Sequence, residues 1–199
     1  MKKIILIFLC IGTTVASAQK YKSLDGDIKN LKGITSYTLE FDYSNLEIPK
    51  YDSEEDFLAD KMQAREEKEA GGGEKFKNSW LSDREEFYEP KFIESFNKRF
   101  DGAVTVGKDL NDAQYTMLVH TNLIYAGYNV GVWRQNAKID ATIKVYETAN
   151  PETIIFSGKY VDVPGGGAAG YDFNTGYRIS EAYAKLAKSI AGLIKKKAK

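Results

Sequence analysis

Residues 137–163 read AKIDATIKVYETANPETIIFSGKYVDV, and this stretch decides the fold class. Ile139, Ala141, Ile143 and Val145 alternate with Lys138, Asp140, Thr142 and Lys144. Successive side chains of an extended chain point to opposite faces, so this period of two predicts a half-buried strand over 137–147. Ala149-Asn150-Pro151-Glu152 follows as a turn, because proline fixes φ and asparagine tolerates turn geometry. Thr153–Val163 predicts the next strand. The link between the two is too short for the crossover that parallel pairing needs, so they form an antiparallel hairpin.

Upstream, Gln114–Tyr125 shows the same alternation. Tyr115, Met117, Val119, Thr121, Leu123 and Tyr125 share one face; Thr116, Leu118, His120, Asn122 and Ile124 share the other. The second face is half apolar, which places this strand centrally, covered on both sides for part of its length. Gly33–Tyr43 is a further half-buried strand, with Tyr37, Leu39, Phe41 and Tyr43 opposite Thr38, Glu40 and Asp42, and Ala103–Val106 is a short one. At the carboxyl end, Ile179, Tyr183, Leu186, Ile190, Leu193 and Ile194 recur at helical spacing, with alanines for close packing and lysines at the negative pole of the helix dipole.

Two more helical stretches lie between the strands. Ser53-Glu54-Glu55-Asp56 has the form of a capping box. The helix it opens carries a thin stripe of Phe57, Leu58 and Met62 and fades into charge before Gly71-Gly72-Gly73, read as a flexible break. Ser82-Asp83-Arg84-Glu85 is a second capping box, with Trp80 at the helix start and Phe87, Tyr88, Phe92, Phe96 and Phe100 on one face. Pro90 must kink this helix or stand in the first turn of a new one. The elements together predict an α/β (α+β) fold, a two-layer sandwich. Its mixed, mostly antiparallel sheet has about five strands with two or three helices, in a single domain over 19–199 with a charged helical insertion around 52–75.

Residues 1–18 carry a different signal. Lys2 and Lys3 precede an apolar run from Ile4 to Val15, and Ala16-Ser17-Ala18 is the small-x-small pattern of a cleavage site before Gln19. The run is shorter than the roughly 20 residues of a spanning helix, so a removed signal peptide is expected and no integral membrane span. Bulky Ile7, Phe8 and Leu9 ahead of Cys10 do not fit a lipid-attachment site, so the cysteine leaves with the signal. The expected location is outside the cytoplasm, periplasmic or secreted, with a peripheral place at the outer membrane as a variant.

Composition narrows the chemistry. The full chain has 28 basic and 28 acidic residues, so it lacks the basic excess that nucleic-acid binding needs, and no nucleic acid is expected as partner. One His and one Cys exclude a zinc cluster and a disulfide framework; no metal and no cofactor is expected. Gly165-Gly166-Gly167-Ala168-Ala169-Gly170 matches a dinucleotide fingerprint in letters but lacks the helix and second parallel strand that must follow, and is read as a flexible loop. His120 has no second His or Cys near it and reads as a hydrogen-bonded structural residue. Glu40, Asp42 and Asp140 are the carboxylates available for glycoside hydrolysis, although strand alternation already accounts for them. No catalytic residue is assigned.

One constellation survives. Tyr128, Asn129, Trp133 and Arg134 lie on a Gly-punctuated connection, and Tyr171 and Tyr177 lie on the second Gly-rich loop. Loops on a rigid sheet commonly carry function, and Tyr, Trp and Arg anchor interfaces. In this topology both loops fall at one end of the sheet. The alternative is that these aromatics fold back and seal the core edge.

Several stretches carry a resemblance: Glu40-Phe41-Asp42-Tyr43, Tyr88-Glu89-Pro90-Lys91-Phe92, Asp112-Ala113-Gln114-Tyr115-Thr116-Met117, Gly127-Tyr128-Asn129-Val130-Gly131, Asn150-Pro151 and Tyr171-Asp172-Phe173 before a final Ala-rich helix. Together they resemble a family of small uncharacterised exported bacterial proteins over nearly all of 19–199. The element order is more loosely similar to periplasmic α/β domains of the curli-secretion and TolB N-terminal type. The first resemblance brings no activity, and the second implies an envelope-associated, non-enzymatic role; neither carries a functional residue onto this chain. The expectation is therefore an exported binding module for an envelope protein or polymer, with a carboxylate-dependent glycan hydrolase as the alternative. A self-associating structural subunit is a third reading.

Overall fold

The computed structural model describes residues 19–130, 133–166 and 174–198, leaving aside the side chains of Asn129 and Val130. The expected signal peptide, residues 1–18, and Tyr171 lie outside the described residues. The strands are β1 (Lys20–Gly26), β2 (Ser36–Asp42), β3 (Thr105–Gly107), β4 (Tyr115–Tyr125), β5 (Tyr128–Val130), β6 (Trp133–Gln135), β7 (Lys138–Glu147) and β8 (Asn150–Pro164). The helices are α1 (Glu54–Glu66), α2 (Gly72–Asp83), α3 (Glu89–Asn97) and α4 (Thr175–Lys197). A π-turn over Arg84–Tyr88 joins α2 to α3, so the helical layer consists of three rods.

The alternation in 137–147 produces what it predicts. Ile139, Ala141, Ile143 and Val145 are fully buried, and β7 pairs antiparallel with β8, Ile143 opposite Gly158 and Val145 opposite Phe156. The main sheet has six strands in the order β1-β8-β7-β4-β2-β3, and β5 and β6 form a separate pair. Only the β2–β3 and β2–β4 pairings are parallel. On the covered face Tyr37, Leu39, Met117, Val119, Phe156 and Tyr160 meet Phe92 and Phe96 of α3 and Ile179, Tyr183, Leu186 and Ile190 of α4. Ala182, Ala187 and Ala191 are fully buried, so α4 approaches the sheet closely.

Three expectations are corrected. The register of β4 against β7 shifts between Thr121 and Leu123, a bulge that reverses the alternation: Ile124 enters the core while Leu123 and Tyr125 are half-buried. Ser82 does not start a helix, because α2 runs through it from Gly72. Pro90, by contrast, stands in the first turn of a new helix as one of its two expected placements has it, directly after the π-turn, where its missing N–H is accommodated. Gly71-Gly72-Gly73 is a tight corner rather than a flexible break. A Cβ on Gly72 would stand 2.9 Å from the Arg65 carbonyl oxygen, and one on Gly73 2.9 Å from that of Met62. The Glu66 carboxylate accepts from the N–H groups of Gly71 (2.9 Å) and Gly73 (3.1 Å), fastening α2 against α1.

The charged insertion thus folds as a helical hairpin with its own aromatic seam. Ser53 caps α1 as its sequence predicts, its hydroxyl accepting from Asp56 N–H at 3.0 Å. Phe57 packs at 4.7 Å from Trp80 and 5.2 Å from Tyr51, while the Arg65 guanidinium lies 3.8 Å over Phe76. These rings give the hairpin an apolar seam of its own.

Candidate functional site

At the end of β4 the chain must leave the sheet. Gly127 takes φ +64°, and a Cβ there would lie 2.6 Å from Ala137 N, so only glycine fits the turn. The chain then runs out along β5 and returns along β6, with Tyr128 opposite Gln135 and Asn129 opposite Arg134. Tyr125 donates its hydroxyl to Gln135 Oε1 at 2.6 Å, tying the base of the hairpin to β4. The Tyr128 ring is 43% exposed and Trp133 70%, so these aromatics stand in solvent rather than sealing the core edge. Arg134 is exposed on the face of β6 opposite Trp133, its guanidinium 3.4 Å from Asn136 Oδ1.

The start of α4 lies against the base of this hairpin. Asn174 caps the helix by accepting from Tyr177 N–H at 2.9 Å, so Tyr177 belongs to the first turn of α4 rather than to the preceding loop. Arg178, buried, donates to the Ala126 carbonyl at 3.2 Å and to Thr175 Oγ1 at 3.1 Å. Hairpin and helix start therefore share one end of the sheet. Tyr177 is half-buried, with the Lys91 ammonium 6.0 Å from its ring centre and Lys91 paired to Glu181 at 3.2 Å.

The three candidate carboxylates are each held. Glu40 accepts from the Tyr146 hydroxyl at 2.7 Å, and Asp140 from Asp162 N–H at 2.8 Å. Asp42 accepts from Ser44 N–H and Ser44 Oγ and lies 2.7 Å from His120 Nδ1, so the lone histidine is hydrogen-bonded as expected. Partial burial pushes the Asp42 carboxyl up, but the hydrogen bonds from Ser44 and His120 outweigh it and hold the group below the usual range.

A second polar assembly left no trace in the sequence. Glu54 receives Trp80 Nε1–H at 2.6 Å and the Arg84 guanidinium at 2.5 and 2.7 Å, and the guanidinium lies 4.5 Å over Tyr43. Tyr183 shares a hydrogen bond with Thr121 at 2.7 Å and stacks on Tyr88 at 5.1 Å. Burial raises the Tyr43, Tyr88 and Tyr183 hydroxyls well above their ordinary range, so none supplies a phenolate. Nearby, burial first and the Glu86 charge second push Asp83 up to about 6. These partners lie 26 and 30 residues apart in the chain, a separation over which no local motif is legible.

Among the described residues no cluster of three or more metal-ligating side chains occurs, and no helix is long and apolar enough to cross a membrane. No family model matches the chain, and no curated protein matches it. Among solved structures it is similar to the PelC dodecamer from Paraburkholderia phytofirmans, at 12% identity over 88% of this chain and 95% of that one, with a TM-score of 0.39. A point variant of the same dodecamer gives 11% identity over 85% and 98%, with a TM-score of 0.38. Similarity at this level does not bear on function.

Proposed function

We propose that this chain is an exported, non-enzymatic envelope protein that captures a protein or polymer partner on the β5–β6 hairpin. The export signal is the one read in residues 1–18. The observation that carries the reading is the exposure of Trp133 and Tyr128 on a hairpin whose base is fixed by Gly127, Tyr125 and Gln135. A large ring held in water on a braced support loses little conformational freedom on binding and removes much apolar surface from solvent. Tyr128 lies opposite Gln135, two residues along from Trp133, so the two rings share one face of the hairpin, and Tyr177 lies at the same end of the sheet.

The test pairs stability with capture. Trp133→Ala combined with Tyr128→Ala leaves the melting temperature within a degree or so of the parent, because neither ring packs in the core. The same double variant loses partner recovery after in-cell cross-linking of a tagged chain. A large drop in melting temperature identifies the rings as structural and removes the site. Recovery of the same partner by both forms removes it equally.

A further inference from the structure

The two margins of the main sheet are built oppositely. On one side β3 covers only Ser36–Thr38 of β2. The edge of β2 beyond it, Leu39–Tyr43, opens on a groove of about 750 Å³ walled by Leu81, Arg84, Glu85, Glu89 and Lys108. Here the helical layer overhangs the sheet and leaves Leu81 37% exposed. On the other side β1 pairs with β8 along one edge only, and all seven of its residues are exposed, Tyr21 at 39% and Leu24 at 50%.

Charge follows the same division. One row of side chains crosses five strands on the uncovered face, Lys22 opposite Lys159, then Thr142, His120 and Asp42. The row is basic at the β1 margin and acidic at the β2 margin, where Glu40 lies two residues before Asp42 on the same face. The groove cations are already paired, Arg84 to Glu54 and Lys108 to Glu89 at 2.6 Å. Among the described residues Lys20, Lys22 and Glu40 make no ion pair.

We propose that copies of this chain associate head to tail by strand addition, the free edge of β1 in one copy pairing with the open Leu39–Tyr43 edge of β2 in the next. Through β8, β7 and β4, β1 runs opposite to β2, so the new pair is antiparallel. A register that sets the next copy's Lys22 against Glu40 also sets its Lys20 against Asp42 and its Tyr21 against Phe41, and the pairing ends at Ser23 against Leu39, where β3 takes over the β2 edge and β1 has its own bulge. Tyr21 then slides beneath the overhanging Leu81. An unpaired strand edge presents unmet N–H and C=O groups and pairs readily with another strand. Two different surfaces meet, so the contact is heterologous and builds a ring or a filament. This goes beyond the hairpin reading and uses none of its residues.

Sedimentation velocity of residues 19–199 at low salt tests it. The wild-type chain associates with rising concentration. Lys22→Glu and Glu40→Lys each weaken association at least about tenfold by setting like charges opposite one another, and the double variant restores it. Glu40→Lys also removes the acceptor of the Tyr146 hydroxyl, so Leu81→Glu, remote from that bond, serves as a second probe and weakens association as well. Trp133→Ala leaves it unchanged. A chain that stays monomeric at hundreds of micromolar overturns the proposal. So does association indifferent to all three single changes, or association lost in Trp133→Ala.

Discussion

Asp83 is the ionisable group whose removal should strengthen the protein. It ends α2 with its carboxylate against Gly176 in the first turn of α4, where a Cβ on Gly176 would collide with its Oδ2. Burial, aided by Glu86, raises it from an ordinary value near 3.8 to about 6. The raised value means that folding disfavours the charged form. The cost is absent well below pH 3.8, where both folded and unfolded chains hold the proton, grows as pH rises, and is complete above about pH 7. Raising the carboxyl from 3.8 to about 6 corresponds to about 3 kcal/mol at most, and solvent screening of this partly exposed group reduces it to about 1 kcal/mol. Asp83→Asn keeps the shape and removes the charge. It should raise stability by about 1 kcal/mol near pH 7.5, or about 2–4 °C in melting temperature for a chain of this size, and give almost no gain at about pH 3. Urea denaturation at the two pH values measures this. A loss of stability near pH 7.5 would refute the reasoning, because the amino end of α4 would then be stabilising the anion. An equal change at both pH values would show that charge is not the cause.

Three further outcomes follow from the packing. Gly73→Ala should destabilise by about 1–3 kcal/mol through its clash with the Met62 carbonyl, although alanine is the better helix former; a rise in melting temperature would restore the flexible-break reading. Thr121→Val removes one partner of the fully buried Tyr183 hydroxyl, leaving Tyr43, and should cost about 1 kcal/mol by chemical denaturation, with Thr121→Ser recovering part of it. Asp42, held below the usual carboxylate range, contributes stability above the unfolded value, and this is lost as pH falls through the lower folded one. Asp42→Asn should therefore flatten the acid limb of the stability–pH curve, and an unchanged limb would show that the His120 and Ser44 contacts carry no net energy.

The elements that the sequence discloses are those whose burial alternates. β7, β8 and most of β4 advertise one dry face, and Ser53 and the apolar stripe of α4 mark their helices. β1 offers no such pattern, since every residue of Lys20-Tyr21-Lys22-Ser23-Leu24-Asp25 is exposed, Tyr21 alone leaning on Tyr160, and it is a strand because β8 supplies its partners. The bulge after Thr121 has no glycine or proline to announce it. The Ser82 motif satisfies a helix interior as well as a helix start, because its hydroxyl can turn back toward the Ser79 carbonyl at 3.5 Å. The glycines at 71–73 were legible as a break and not as a close approach, which depends on what lies across the corner. Aromatic residues around Gly127 were legible as a connection with chemistry, but their exposure follows from the hairpin that lifts them. Nothing local links Glu54 to Trp80 and Arg84.

The placement of β1 also sets an order of assembly. Lys20 lies opposite Val161 and Gly26 opposite Phe156, so the first strand of the domain docks on its last. The β7–β8 hairpin closes over a short loop and can form early, whereas β1 must wait for a contact spanning most of the chain. The last strand to arrive, exposed along its length, is also the first to leave. Its amide protons should exchange well before those of β4 and β7. While it is away, the uncovered ladder of β8 can take β1 from another molecule, which makes exchange of this strand between chains the least costly error in folding.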